Sequence, residues 1–167
     1  PNPGFPTYSA MIGVAGGEPV PVPLKEENSF SFDLQAFDDR VGPKTRLIIL
    51  NSPANPTGGV MPLADLEHIA AAARRYDAWV MSDEIYARLV YDGLQVPSIA
   101  TLPGMQERTI IVDGFSKTYA MTGWRLGYTI APAALAAAMT KIQEHSTSNP
   151  CSISQKAAVE ALAGSQE

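Results

Sequence analysis

A lysine and an arginine lie among small and hydroxyl residues between two apolar runs. Lys117 directly follows Ser116, and Arg125 lies further on, between two glycines. The apolar run at residues 109–112 predicts a buried strand that ends just before this stretch. A neutral lysine amine can attack a carbonyl carbon and form an imine. A guanidinium has a planar fork that suits a phosphate. The stretch therefore predicts carbonyl chemistry beside a phosphate site.

Two further polar segments directly follow apolar runs. Asn55 follows the run at residues 46–50, and Asp83 and Tyr86 follow the run at residues 78–81. Both runs are short enough to be buried strands. Ligands in open α/β sheets bind beyond the carboxyl ends of the strands. We therefore expect both segments and the lysine stretch to converge on one crevice.

The elements that must position these residues alternate along the chain. Helices are predicted at residues 7–14, 33–40, 63–76, 132–145 and 152–162, buried strands at residues 46–50, 78–81 and 108–113, and an edge strand at residues 19–24. This alternation predicts a three-layer α/β/α fold with a mainly parallel sheet covered on both faces. The third helix has one apolar face, which we expect to be buried: Leu63, Leu66, Ile69, Ala70 and Ala73.

The composition excludes several classes of function. Of the 167 residues, 46% are hydrophobic, as in a globular domain. The net charge of -5 and the lack of a basic cluster argue against a nucleic-acid partner. No apolar run is long enough to predict a membrane span, and His68, His145 and Cys151 lack the spacing of metal ligands. A single cysteine allows no internal disulfide, which favours a cytoplasmic location.

The lysine stretch resembles the signature of the class I and II aminotransferases, which are fold-type-I enzymes that use pyridoxal 5'-phosphate. Their pattern is Ser-Lys, a spacer and Gly-x-Arg-x-Gly, and Ser116-Lys117 with residues 123–127 match it. Residues 83–86 match the family's Asp-x-x-Tyr. Residues 55–58 match the second half of its Asn-Pro-x-Asn-Pro-Thr-Gly segment, whereas Ser52 stands where the first proline is usual.

The resemblance implies that pyridoxal phosphate is the cofactor and that four residues act on its reactive ring. Lys117 would form the internal Schiff base and then carry the proton between the substrate α-carbon and the cofactor's C4′ carbon. Asp83 would keep the pyridine nitrogen protonated. Tyr86 and Asn55 would donate hydrogen bonds to the ring oxygen. The peptide bond between Asn55 and Pro56 is expected to be cis.

The resemblance also implies which residues hold the phosphate and the face of the ring. Arg125 and Ser116 would bind the phosphate, and Phe5 would stack on the pyridine. Gly114 stands where the family often has another serine, so one phosphate contact is expected to be missing or to come from a backbone N–H. Three tyrosines are interpreted as packing residues without a role in the chemistry: Tyr8, Tyr119 and Tyr128.

The activity implied by the resemblance is transfer of an amino group between an amino acid and a 2-oxo acid. Two alternatives stay open at this point, namely a pyridoxal-phosphate-dependent C–S lyase and the aminotransferase-like sensing domain of a transcription regulator. The resemblance covers only the middle of a family member. We therefore expect residues 1–167 to be an incomplete large cofactor-binding domain, without the N-terminal part and the small C-terminal domain. We expect a homodimer for the full-length enzyme, and this piece alone to be inactive.

Overall fold

The computed structural model describes residues 1–166. Its helices and strands follow one another as α1 (Thr7–Val14), β1 (Leu24–Lys25), β2 (Ser31–Phe32), α2 (Leu34–Asp38), β3 (Leu47–Asn51), α3 (Leu63–Arg75), β4 (Trp79–Asp83), β5 (Thr109–Gly114), β6 (Gly127–Ile130), α4 (Ala133–Ser146) and α5 (Ser152–Ala163). Within these described residues, every helix is too short or too polar to cross a membrane.

A four-stranded sheet in the order β3-β4-β5-β6 forms the centre of the fold. Strands β3, β4 and β5 are parallel, whereas β6 pairs with β5 in the antiparallel direction. The carboxyl ends of β3 and β4 are level, because Asn51 lies opposite Asp83. This mainly parallel sheet with intervening helices confirms the predicted three-layer α/β/α fold.

Helix α3 and the parallel strands contribute to the larger of two hydrophobic cores. Ile69 and Ala73 of α3 are fully buried in one cluster with Leu50 and Val80 of the sheet. The prediction that Leu63 belongs to this buried face is wrong, since Leu63 is 48% exposed. It is the first residue of α3 and precedes the turns that pack into the core.

The smaller core joins the loop after β5 to helix α5. Phe115 and Met121 of that loop are buried together with Ala158 of α5. Tyr119 and Tyr128 pack against the same cluster and are partly buried. The lysine stretch is thus anchored on a helix that comes later in the chain.

The predicted edge strand at residues 19–24 is largely absent. Only its last residue is a strand residue, because β1 begins at Leu24 and pairs with β2. Prolines at positions 19, 21 and 23 have no N–H group and cannot donate to a strand ladder. The Val-Pro alternation therefore prevents regular pairing over most of this segment.

Candidate active site

A buried asparagine joins the carboxyl ends of β3 and β4. The Asn51 side chain donates from Nδ2 to the carbonyl oxygen of Asp83 at 3.1 Å, and its Oδ1 accepts from the backbone N–H of Asn55 at 2.7 Å. The backbone N–H of Ser52 donates to the same Asp83 carbonyl at 3.2 Å. Asn51 therefore fixes the position of Asn55 relative to Asp83, a role that the sequence analysis missed.

The Asp83 carboxylate is half-buried and is held at both oxygens. Its Oδ2 accepts from the Tyr8 hydroxyl at 2.6 Å, and its Oδ1 accepts from the backbone N–H of Ile85 at 3.2 Å. Burial, followed by the hydrogen bond and the charge of Asp83, raises the pKa of Tyr8 well above its ordinary value. Tyr8 is therefore protonated and donates at neutral pH. A carboxylate has about four lone-pair sites, so Asp83 can still bind a cation.

The structure adds a polar contact to the packing interpretation of Tyr8. That interpretation is incomplete, since the Tyr8 hydroxyl also contacts Asp83, the predicted anion of the site. The two residues are 75 positions apart in the chain, and no local pattern links them. Phe5, the predicted ring platform, is 45% exposed and meets Tyr8 edge-on with 5.8 Å between ring centroids. Phe5 therefore lies beside Tyr8, whose hydroxyl donates to Asp83.

Lys117 and Tyr86 meet at the carboxyl edge of the sheet. Lys117 follows the end of β5, and its Nζ atom lies 5.6 Å from the centroid of the Tyr86 ring. Tyr86 lies just after β4, which pairs in parallel with β5 and places Asp83 opposite Val112. Lys117 and Tyr86, which follow two neighbouring strands, thus lie at the same edge of the sheet as Asp83, the last residue of β4.

An open cavity of about 520 Å³ adjoins this edge. Asn55 and Tyr86 line it together with apolar residues of the segments 53–60 and 86–94. The peptide bond between Asn55 and Pro56 is cis, as expected. The other predicted site residues are not on the cavity wall: Phe5, Asp83, Ser116, Lys117 and Arg125. Of the predicted site residues, the cavity therefore adjoins Asn55 and Tyr86.

The two predicted phosphate ligands are connected through Thr122. Arg125 donates from Nη1 to the Thr122 carbonyl at 2.9 Å, and the Thr122 hydroxyl donates to the Ser116 carbonyl at 2.9 Å. Arg125 is exposed at its side chain and has a φ of 52°. The single backbone contact uses one of the five N–H groups of a guanidinium, so the group can also bind an anion.

Two solved structures to which this chain is similar are those of aminotransferases. The structure of aromatic aminotransferase from Pyrococcus horikoshii aligns with a TM-score of 0.94 at 45% identity, over 98% of this chain and 44% of that one. Aspartate aminotransferase from Thermus thermophilus with maleate aligns with a TM-score of 0.90 at 38% identity, over 96% of this chain and 41% of that one. The fold, together with the residues at the carboxyl ends of its parallel strands, defines an α/β domain of the aminotransferase type.

The chain belongs to the family "Aminotransferase class I and II", whose model matches residues 1–167. It is 47% identical over 162 residues to aromatic-amino-acid aminotransferase 2 of Thermococcus litoralis and to aspartate aminotransferase of Pyrococcus abyssi. Each alignment covers 97% of this chain and 42% of the relative. The chain thus spans less than half the length of these relatives. The resemblance of the lysine stretch to this family is confirmed.

Proposed function

We propose that the full-length protein is a pyridoxal-phosphate-dependent aminotransferase that transfers an amino group between an amino acid and a 2-oxo acid. Residues 1–167 would form part of its large cofactor-binding domain. Family membership supports this proposal. The observation that carries it is the meeting of Lys117 and Tyr86 at the strand edge where Asp83 lies.

The side chains at this edge fit the chemical groups of pyridoxal phosphate. When bound, the cofactor supplies an aldehyde carbon and a ring that withdraws electrons from the substrate α-carbon. The half-buried Asp83 carboxylate suits a protonated ring nitrogen, because an opposite charge at close range favours the charged form. The hydrogen bond from Tyr8 keeps that carboxylate in one orientation.

Two donors on the cavity wall suit the ring oxygen. The Tyr86 hydroxyl and the Asn55 amide can each donate a hydrogen bond, and both residues line the same cavity. Asn51 fixes the Asn55 backbone, so the amide does not depend on a free loop for its position. Donors held in place in this way stabilise negative charge on an oxygen without further reorganisation.

The remaining predicted residues would hold the phosphate and one face of the ring. Arg125 would bind the phosphate with its planar fork, and Ser116 would add a hydroxyl donor. Thr122 contacts both residues and keeps this end of the site together. The Phe5 ring would stack against the cofactor, with Tyr8 packed edge-on behind it.

Lys117 would be both the attachment point for the cofactor and the base. Its Nζ atom would move a proton between the substrate α-carbon and the C4′ carbon of the cofactor, as a general acid–base group must. The Tyr86 ring lies beside Nζ and limits where the amine can point. A base held close to the proton it abstracts contributes roughly 10²–10⁴-fold to a rate.

The test is a transamination assay with the full-length protein and added pyridoxal phosphate. Aspartate and tyrosine are suitable donors, because the relatives' names include aspartate and aromatic amino acids. We expect amino transfer to 2-oxoglutarate, measured as glutamate, and a mass in gel filtration that corresponds to a homodimer. Release of ammonia without glutamate would instead indicate a lyase. A protein that binds the cofactor but neither transfers nor releases nitrogen would contradict the proposal.

A further inference from the structure

Residues 115–126 form a loop whose two ends meet on adjacent strands. The loop carries Lys117 near its start and Arg125 near its end. Gly114 at the end of β5 lies opposite Gly127 at the start of β6. The backbone N–H of Phe115 also donates to the carbonyl oxygen of Leu126 at 3.3 Å. The pairing of β5 with β6 therefore fixes both ends of the loop that carries the two predicted cofactor ligands, Lys117 and Arg125.

The backbones of β5 and β6 approach each other closely at the Gly114–Gly127 pair. A Cβ atom on Gly114 would lie 2.9 Å from the Cα of Gly127 and 3.1 Å from the carbonyl oxygen of Leu126. A side chain at position 114 would therefore require the neighbouring backbone to shift, which accounts for a glycine here in this chain. A glycine pair has no side chains with which to fix the pairing, and glycine-rich strands specify their register weakly.

The next residue pair along the strands supplies the missing side-chain contact. Asp113 lies directly opposite Tyr128, so the two side chains share one face of the sheet. The Tyr128 hydroxyl donates to Asp113 Oδ2 at 2.8 Å, and Asp113 Oδ1 accepts from the backbone N–H of Gly114 at 2.6 Å. One carboxylate therefore links β6 to the last residue of β5.

The Tyr128 side chain is held in place on both its ring and its hydroxyl. Its ring meets Phe115 edge-on with 5.7 Å between centroids. Burial, and then the hydrogen bond to Asp113, raises the pKa of Tyr128 to about 12. The phenol is therefore protonated and donates to Asp113 at neutral pH. The interpretation of Tyr128 as a packing residue is thus incomplete, since it also makes this polar contact.

We propose that Asp113 and Tyr128 are positioning residues. Their hydrogen bond, here called the clasp, holds the two ends of the 115–126 loop together and so keeps the Lys117 amine in place. Neither residue is assigned a contact with the cofactor. Because Lys117 is catalytic only under the proposed function, the effect of the clasp on turnover rests on that function. Its effect on the motion of the loop rests on the contacts alone.

The test compares two single-hydroxyl deletions in the full-length protein loaded with pyridoxal phosphate. Tyr128→Phe removes the clasp but keeps the ring contact with Phe115. Tyr76→Phe is the control, because Tyr76 follows α3 at the opposite edge of the sheet, outside the 115–126 loop, and its ring contacts Arg75. Loss of a hydrogen bond to a charged group corresponds to roughly a tenfold change in a local opening equilibrium.

In Tyr128→Phe we expect amide hydrogen exchange of residues 115–126 to quicken about tenfold. The visible circular dichroism of the bound cofactor should weaken, and kcat should fall by up to about 10²-fold with little change in KM, as for a misplaced catalytic group. Tyr76→Phe should match the parent protein in all these measurements. Equal exchange and equal dichroism in the two variants would overturn the proposal.

A second variant keeps the proposal testable if Tyr128→Phe folds poorly. Asp113→Asn removes one of the two acceptor oxygens, so we expect faster exchange of the same loop. The double variant should exchange no faster than the worse single variant, because both changes break one contact. Fully additive effects would overturn the clasp. If Lys117→Ala still forms a borohydride-reducible cofactor adduct, the proposed role of Lys117 fails, whereas the exchange measurement still tests the contact between Asp113 and Tyr128.

Discussion

Replacing Asp83 with asparagine separates the charge of the site from its shape. The amide has the same size as the carboxylate, and it keeps one oxygen that can accept from Tyr8 or from the backbone N–H of Ile85. We therefore expect the free energy of unfolding to fall by no more than about 1 kcal/mol, the value of one ordinary hydrogen bond. The anion that would face the cofactor nitrogen is lost.

The expected fall in kcat of Asp83→Asn can be estimated from the half-buried position of this carboxylate. Two unit charges 4 Å apart attract by about 4 kcal/mol at the effective dielectric constant of roughly 20 that suits groups near a protein surface. Each 1.36 kcal/mol corresponds to about tenfold in rate. Because the amide dipole replaces part of the attraction, we expect kcat of Asp83→Asn to fall roughly 10²–10³-fold.

The assay is steady-state transamination by the full-length protein at saturating pyridoxal phosphate, with thermal unfolding measured in parallel. Asp77→Asn is the matched control, since Asp77 pairs with Arg108 and its side chain is 94% exposed. This control should retain the parent kcat. An Asp83→Asn protein that folds normally and keeps kcat within about threefold of the parent would refute the role of Asp83 as the essential anion.

Three further predictions concern the support of the site and the core. Tyr8→Phe removes the 2.6 Å hydrogen bond to Asp83, and we expect the cofactor dissociation constant, measured by fluorescence titration, to rise about tenfold. Arg125→Ala should raise the same constant by roughly tenfold to a hundredfold, because a charge-assisted phosphate contact is lost; an unchanged constant would show that the phosphate binds elsewhere. Ile69→Ala empties a fully buried position and should cost about 3 kcal/mol in urea unfolding, whereas Ile142→Ala, at a residue 69% exposed, should cost less than about 0.5 kcal/mol.

The sequence predicts the helices and central strands well because their apolar periodicity is local. Helix α3 begins at Leu63 as predicted and ends at Arg75, one residue before the predicted end. Strand β4 includes Asp83, so the predicted anion lies at the end of its strand. The prediction fails at residues 19–24, where valines favour a strand but prolines cannot donate to one.

The sequence could not predict the contacts that join distant segments. The hydrogen bond between Tyr8 and Asp83 depends on how the N-terminal segment crosses the strand ends, and no short-range pattern encodes that path. The Asp113–Tyr128 pair depends on β6 running antiparallel to β5 in one particular register. Motif spacing identifies residues that share a function, whereas these supporting contacts arise only from the three-dimensional arrangement.

The most direct test of the central claim is to identify the lysine that carries the cofactor. The full-length protein is mixed with pyridoxal phosphate, reduced with borohydride, digested and analysed by peptide mass spectrometry. We predict the added cofactor mass on Lys117, its loss in Lys117→Ala and its retention in the control Lys141→Ala. Cofactor mass on a different lysine, or an adduct that persists in Lys117→Ala, would contradict the account.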